Sequence, residues 1–417
     1  MQKVAIVGGC RTPFVRAGGK FARAGFLDLG IHTLKALVER YSLDPLRIDE
    51  FVFGTVLLDP RAPNYAREVV LRSGLPATIS AHAVSNNCIS GLTALSVLTD
   101  GIRVGRIKVG IGGGSESMSR PTLTFHPKAE RFFLALSRAR SLGERARILA
   151  SYRPRFGLPI PPSPKEPSTG LTMGQHCELT TQELGIERRV QDEIALSSHQ
   201  NAAKAQAAGY LAAEIVPFEG VEHDNLIRAD TSIEKLSKLA PVFDRTGKGT
   251  LTAGNSSALT DGASLVCLMA EDEARRQGRE VLGFVEAIHF AGIDPRDGLL
   301  MAPAVALPEL LAKQGLSVDQ VDRFEIHEAF GAQVAANLAV WERGWPKYPG
   351  ATAIGMIPRE KTNVNGGSIA IGHPFAATGG RLVMSLVHEL KRSNLKTGVI
   401  SICAAGAMAG AVLIRRP

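Results

Sequence analysis

No stretch of the 417-residue chain holds the roughly 18 consecutive apolar residues that a membrane-spanning helix requires. Cysteine is scarce: Cys10, Cys88, Cys177, Cys267 and Cys403 are odd in number, widely scattered and without a C-x-x-C pair. That pattern argues against a disulfide framework and against a zinc site, and leaves free thiols that pack by default as small hydrophobes. Zinc-finger spacings and other nucleic-acid-binding motifs are missing too. The net charge of +8 therefore suits an anionic ligand or surface rather than a nucleic acid. The opening "MQKVAIVGGCRTPF" has no charged n-region, long apolar stretch or cleavage site and runs straight into a strand-like segment. A cytoplasmic location is expected, although a matrix protein numbered from its mature start would look the same.

What the chain does have is glycine, 43 residues, with 45% hydrophobic and 21% charged residues, the profile of a globular protein with many tight turns. Strand-like runs ("KVAIVGG", "DEFVFGTVL", "IKVGIGGG") alternate with helical patterns ("LDLGIHTLKALVERY", "APNYAREVVLRSG"), which predicts an α/β fold with a largely parallel sheet. A weak internal repeat is visible. "LDPLRIDEFVF" (43–53) aligns with "LSVDQVDRFEI" (316–326), each a short helix feeding a strand, and "IKVGIGGGSESMSR" resembles "GVISICAAGAMAG". The same order in both halves favours duplication over the ordinary reuse of such units. Between them, residues 119–249 carry the Pro-rich loop "PRFGLPIPPSPKEPSTG" and the helical "ERRVQDEIALSSHQNAAKAQAAG". The expected organisation is an N-terminal half over 1–118, completed by 250–278, an inserted domain over 119–249 and a C-terminal half over 279–417.

Four residues stand out chemically. In "AVSNNCISGLTAL" (83–95), Cys88 follows two asparagines where a helix is about to begin. A helix N-terminus favours a thiolate, but a small buried residue at a strand–helix junction is the plainer reading of that segment alone. His327, in "FEIHEAFGAQVAANL", falls where a strand ends and a helix starts, a position equally suited to a structural histidine. His373, in "NVNGGSIAIGHPFAATGG", sits between Gly372 and Pro374, a rigid setting in which a general base is the stronger reading. Cys403, in "VISICAAGAMAGAVLI", ends a strand before a small-residue turn whose N–H groups can approach an oxyanion, although an inert core thiol is the default there.

Together these segments resemble the thiolase family over essentially the whole chain. The segment around Cys88 matches the family's nucleophile motif, "HEAF" its "NEAF" box, and "NVNGGSIAIGHPFAATG" and "TAGNSSALTDGAS" (252–264) two further elements. Within the family, "HEAF", "GHPFAATG", "CAAG" and the insertion most resemble the thiolase subunit of the fatty-acid β-oxidation trifunctional complex. The resemblance implies a five-layered αβαβα fold of two duplicated βαβαβαββ halves with an inserted loop domain. It implies CoA-dependent cleavage of a 3-ketoacyl-CoA to acetyl-CoA and a shortened acyl-CoA. In that scheme Cys88 is the acylated nucleophile, His373 its base and Cys403 the acid/base at the enolate. His327 replaces the family asparagine of one oxyanion hole, and the N–H groups of Cys88 and Ala405 form the other. Ser257 and Met173 would line the pantetheine path and Phe330 the acyl pocket. Coenzyme A and acyl-CoA enter as substrates, and no cofactor or metal is implied. The expected partners are a second copy in a homodimer and a hydratase/dehydrogenase subunit.

"MGQHCE" departs from the family's usual "MGxTAE", which puts the pantetheine contacts in doubt. "CAAGAMAG" has alanines where other branches have glycines, which is harmless only if no φ > 0 is needed there. A biosynthetic acetoacetyl-CoA thiolase would use the same catalytic residues. A non-catalytic lipid-binding or scaffold protein with this fold would be expected to lose Cys88, His373 or Cys403. Finally, residues 126–157 carry eight Lys/Arg against two Glu, with Phe132, Phe133 and Leu136 at helical spacing. Contact with an anionic membrane surface, guidance of acyl-CoA phosphates and docking of a partner are the functional readings. A surface helix packed on the core is the ordinary one.

Overall fold

Strand alternation decides which layer each side chain joins. In Val4–Arg11, Val4 and Ile6 enter one apolar core while Ala5 and Val7 enter another, the period of two expected of a strand buried on both faces. The computed structural model describes residues 1–417. Its main sheet runs in the order Arg323–Ile326, Thr397–Ala404, Met408–Arg415, Gly283–Gly292, Val4–Arg11, Thr260–Ala270, Val109–Glu116, Glu50–Gly54, Ser80–Val84.

From the centre outward the two sides repeat each other. Val4–Arg11 and Gly283–Gly292 meet antiparallel at Ala5↔Phe284 and Ile6↔Gly283. Each next pairs antiparallel with the last strand of its own half, that strand with the next antiparallel, and that one with the next in parallel. The duplication read from sequence is thus present in the topology, down to one side chain. Asp49 accepts hydrogen bonds from the backbone N–H groups of Lys108 and Val109 (2.7 and 2.9 Å). Asp322, its repeat counterpart, accepts from those of Lys396 and Thr397 (2.9 and 2.8 Å).

The expectation of a largely parallel sheet does not hold. Only Glu50–Gly54 with its two neighbours, and Arg323–Ile326 with Thr397–Ala404, pair in parallel. The reason is local. The C-terminal half closes with a strand that turns straight back on its predecessor through the short Ala405–Ala407 turn, which joins only antiparallel strands. Thr260–Ala270 takes the same antiparallel place in the N-terminal half, although residues 117–259 intervene. The halves also differ at the edge. Ser80–Val84 has no full counterpart in the second half, only an isolated parallel bridge from Phe324 to Thr362.

Three large cores separate five layers. Helices Phe26–Arg40 and Tyr65–Arg72 cover the outer face of the first half through Phe26, Leu34, Leu37 and Val69. Helices Pro303–Lys313 and Gly331–Arg343 cover the second through Leu307, Leu310, Val334 and Trp341. Between the inner faces lie Ser90–Arg103 and Thr378–Arg392, packed through Leu92, Leu95, Leu98, Leu382 and Leu386. Burying each such leucine contributes about 1.5–3 kcal/mol. These two helices touch at their N-terminal turns because glycine allows it. A Cβ on Gly91 would lie 2.6 Å from the Ala376 carbonyl oxygen, and one on Gly379 2.7 Å from the Leu92 nitrogen. The close approach brings together the loops that precede both helices, which carry Cys88 and His373.

Residues between Val109–Glu116 and Thr260–Ala270 form two different structures. Helices Met173–Leu184 and Arg188–Ala207 pack on Gly331–Arg343 of the C-terminal half. The basic segment instead forms the helices Pro127–Arg138 and Leu142–Ala150, which lean on each other beside a small ribbon pairing Thr124–Phe125 with Pro159–Ile160. It does not pack on the core as an ordinary surface helix would. Ala129 is the only buried residue of the two helices, and Phe133, Leu134, Leu142 and Leu149 are exposed. No helix is long and apolar enough to cross a membrane.

Candidate active site

Cys88 lies in the turn between strand Ser80–Val84 and helix Ser90–Arg103. Its two asparagines have separate tasks. Asn87 adopts a left-handed backbone (φ 48°), which asparagine tolerates better than most residues, and its side-chain N–H donates to the Ala405 carbonyl at 3.0 Å. Asn86 donates from its backbone N–H to Ser90 Oγ (2.8 Å) and from its side chain to Thr93 Oγ1 (3.0 Å), locking the turn to the helix. The cysteine turn is thereby tied to the turn after Cys403, at the other end of the chain.

His373 approaches from the opposite half. Its Nε2 is 3.3 Å from Cys88 Sγ and its Nδ1 2.6 Å from Thr378 Oγ1. The Thr378 hydroxyl donates to the Pro374 carbonyl (3.2 Å), so its oxygen accepts from Nδ1–H and leaves Nε2 bare toward the thiol. This is the tautomer a base for Cys88 needs.

The electrostatics correct one expectation. A helix N-terminus does not make Cys88 a resting thiolate. Burial pushes the thiol up to about 12, although the N–H groups of Ala405 and of Cys88 itself pull the other way. Burial, reinforced by the Arg381 cation, pulls His373 down to about 3. The resting pair is a neutral thiol facing a neutral imidazole.

Cys403 is buried near the end of Thr397–Ala404, its thiol held far above the usual range first by burial and then by Cys88 and Cys177. The turn that follows is fixed on both sides: Asn87 holds the Ala405 carbonyl, and the Gly406 N–H donates to Glu166 of the inserted region at 3.0 Å. Gly406 and Ala407 both have positive φ (76° and 55°). The alanine substitution is thus harmless at Ala405 but places a left-handed residue at Ala407, a cost of roughly 1–2 kcal/mol.

His327 is fully buried, with its ring centroid 4.1 Å from that of His373. Its Nδ1 is 2.9 Å from Ser368 Oγ, and its Nε2 has no partner. Glu328 beside it accepts from Ser198 Oγ, Asn363 Nδ2 and the Ile369 N–H, stapling this loop to the segment that leads to His373. Ser257 adds a second staple by donating its N–H and its hydroxyl to the Ala329 carbonyl, both at 3.0 Å.

A cavity of about 550 Å³ opens beside these loops, lined by Ser256, Ser257, Leu259, Phe243 and Ile369 and, among its charged groups, by Arg16, Arg228 and Lys235, the last paired with Asp230 at 2.7 Å. Cys88, His327, His373 and Cys403 do not line it, but two lining residues adjoin their loops, Ser256 bridging to Phe330 and Leu259 to His373 through the backbone. An elongated, partly apolar ligand with anionic groups fits this lining. Ser257 lines this cavity and Met173 does not. Met173 packs instead in a small apolar cluster with Phe330, Phe243, Cys177 and Cys403. The three cations, Thr378, Ser368 and Glu166 escaped the sequence reading. Ser368 and Thr378 lie inside the quoted "NVNGGSIAIGHPFAATG" segment, but nothing in their spacing shows which imidazole each would meet.

Fold and site together define a two-half α/β protein with a thiol–imidazole pair and a second buried thiol at the seam between halves. Comparison with known proteins narrows this further. The family profile described as Thiolase, N-terminal domain matches residues 4–272, and that described as Thiolase, C-terminal domain matches 279–416. The 3-ketoacyl-CoA thiolases of Aeromonas salmonicida and Pseudoalteromonas translucida are each 39% identical over 99% of this chain and 97% of their own. The crystal structure of the Bacillus anthracis acetyl-CoA acetyltransferase matches with a TM-score of 0.86 at 30% identity, covering 100% of this chain and 99% of that one. The chain belongs to the thiolase family.

Proposed function

We propose that this protein is a 3-ketoacyl-CoA thiolase working through an acyl-Cys88 intermediate. The observation that carries the reading is the Cys88–His373 contact at 3.3 Å with Nε2 bare toward the sulfur. His373 takes the thiol proton as Cys88 attacks C3 of the 3-ketoacyl-CoA, and the N–H groups of Cys88 and Ala405 receive the oxyanion. The C2–C3 bond then breaks, its electron pair passes into the acetyl-CoA enolate, and Cys403 supplies the proton to C2. Free CoA thiol next attacks the acyl-Cys88 thioester and releases the shortened acyl-CoA. The cavity's cations hold the phosphates of CoA while Ser257 lies along its pantetheine, and Phe330, in its apolar cluster, faces the acyl chain.

CoA-dependent cleavage of acetoacetyl-CoA and of a long-chain 3-ketoacyl-CoA tests this, with Cys88→Ala as the blank. Preference for the long substrate supports the degradative reading. Preference for acetoacetyl-CoA shifts the assignment to an acetyl-CoA C-acetyltransferase, the activity named for the Bacillus anthracis structure. Cleavage of neither above the blank would sink it.

The same proposal includes a role in fatty-acid β-oxidation in the cytoplasm, as a homodimer beside a hydratase/dehydrogenase subunit; the sequence resemblance supports these points. It also assigns the projecting basic helices to an anionic lipid surface. Their exposed Phe133, Leu134, Leu142 and Leu149 lie near a cavity of about 450 Å³ lined by Lys128, Arg131, Arg153 and Arg155. Aromatic and aliphatic side chains flanked by cations match the interface of an anionic bilayer. Flotation with vesicles that does not depend on anionic lipid content would remove this part of the reading.

A further inference from the structure

His327 and His373 lie ring against ring, yet their hydrogen bonds run in opposite senses. At His373, Nδ1 faces a hydroxyl whose own proton is spent on the Pro374 carbonyl. At His327, Nδ1 faces the Ser368 hydroxyl, and that hydroxyl's oxygen is already an acceptor: Arg381 Nη2 donates to it at 2.8 Å. An arginine has only protons to give, and His327 Nδ1 is the one acceptor within hydrogen-bond distance of the Ser368 hydroxyl, so the Ser368 proton goes to Nδ1. Nδ1 is then the acceptor, and the ring's own proton resides on Nε2.

We propose that the buried Arg381–Ser368 pair is a positioning relay that holds His327 as the Nε2–H tautomer, making it a hydrogen-bond donor to the oxyanion of the bound thioester. The inference rests on the thiolase reading for the identity of that oxyanion, but the tautomer is a property of the free protein.

Three independent observations support it. His327 Nε2 is buried without any protein partner, which costs free energy and leaves that nitrogen free for a group on a bound ligand. Arg381 is itself fully buried with Nε and Nη1 unpaired, and its nearest carboxylate, Glu325, is 3.8 Å away. A guanidinium left this poorly satisfied adds little to stability, which is consistent with a positioning role. Its positive charge also disfavours an added proton on either imidazole, and both histidines are pulled below the ordinary range. A relay of this kind moves no proton during the reaction. Charge builds on the thioester oxygen as the C2–C3 bond breaks, Nε2–H donates to it, and the proton stays on nitrogen when the enolate is protonated at carbon.

The test is the 15N spectrum of imidazole nitrogens in histidine-labelled protein, which separates protonated from bare nitrogen, with His327→Asn used for assignment. The expected result is His327 with Nε2 protonated and Nδ1 bare in the wild type, and a mixed or reversed tautomer in Ser368→Ala. A wild-type His327 protonated at Nδ1, or a Ser368→Ala spectrum identical to wild type, would overturn the proposal. The wild-type spectrum decides even if Ser368→Ala does not fold.

A kinetic cycle adds the functional arm. Ser368→Ala should lower kcat for thiolysis about 10–100-fold with KM within about threefold. Ser368→Thr, which keeps the hydroxyl, should recover most of the loss. In a His327→Asn background the Ser368→Ala loss should shrink to under about threefold; a loss that persists in full would show that Ser368 does not act through His327. A wild-type protein with the expected tautomer but no thiolysis would instead refute the functional reading and leave the relay standing.

Discussion

The two halves share one framework and carry opposite chemistry. Each has a strand order that mirrors the other, an aspartate (Asp49 or Asp322) bracing the next strand, and a central helix packed against its twin. Yet the loop before one central helix presents a thiol and the loop before the other an imidazole, and they meet at 3.3 Å. The framework tolerates either residue because it fixes only where those loops lie. The reactive groups are chosen by what lies across the seam. Cys88 has its partners, His373 and Ala405, in the other half, and His373 takes its oriented tautomer from Thr378 in its own.

The largest effects should come from breaking this asymmetry. Cys88→Ala should abolish acyl transfer, lowering turnover by at least about 10³-fold, and no acyl-enzyme should be trapped by mass spectrometry. Cys403→Ala should be comparably slow in thiolysis yet still accept an acyl group from an acyl-CoA onto Cys88; if it does not, the division of labour between the thiols is wrong. His373→Ala should cost about 10²–10⁴-fold. Thr378→Val, which removes only the orienting hydroxyl, should cost less, and combining the two should add little to the first.

Stability measurements sharpen the symmetric side. Gly91→Ala and Gly379→Ala each push a methyl group into the opposite central helix's backbone and should each lower stability by about 1–3 kcal/mol. Asp49→Ala and Asp322→Ala each free two backbone N–H groups and should cost about 1–2 kcal/mol apiece. Urea unfolding showing one aspartate essential and the other silent would mean that the repeat is geometric but not energetic.

The smallest effect is a pH difference. In the unfolded chain His373 takes up a proton below about pH 6.5. The folded state refuses that proton until about 3, so stability is lost as pH falls through this window. His373→Asn lacks the penalty and should lose less stability than wild type between pH 7 and pH 5, read as the shift in urea midpoint.

Much of this was legible in the sequence, for identifiable reasons. The duplication shows because Asp49 and Asp322 perform the same backbone task, and such tasks constrain residue type. Cys88, His373 and Cys403 show because each sits in a turn crowded with glycine, asparagine or alanine. Sheet direction did not show, since antiparallel return depends on turn geometry rather than on strand composition. What surrounds the Cys88 sulfur did not show, because a helix N-terminus is visible in sequence, whereas the His373 and Ala405 loops that cover it lie some 300 residues away. For residues 126–157 the sequence left a packed surface helix open beside the functional readings, and only three dimensions reveal that Phe133, Leu134, Leu142 and Leu149 are exposed.

Cys88 precedes the loops that cover it by some 300 residues, so the two halves contribute unequally to the same pocket: one supplies the sulfur and the other its cap. The Asn87–Ala405 bond is the latch between them.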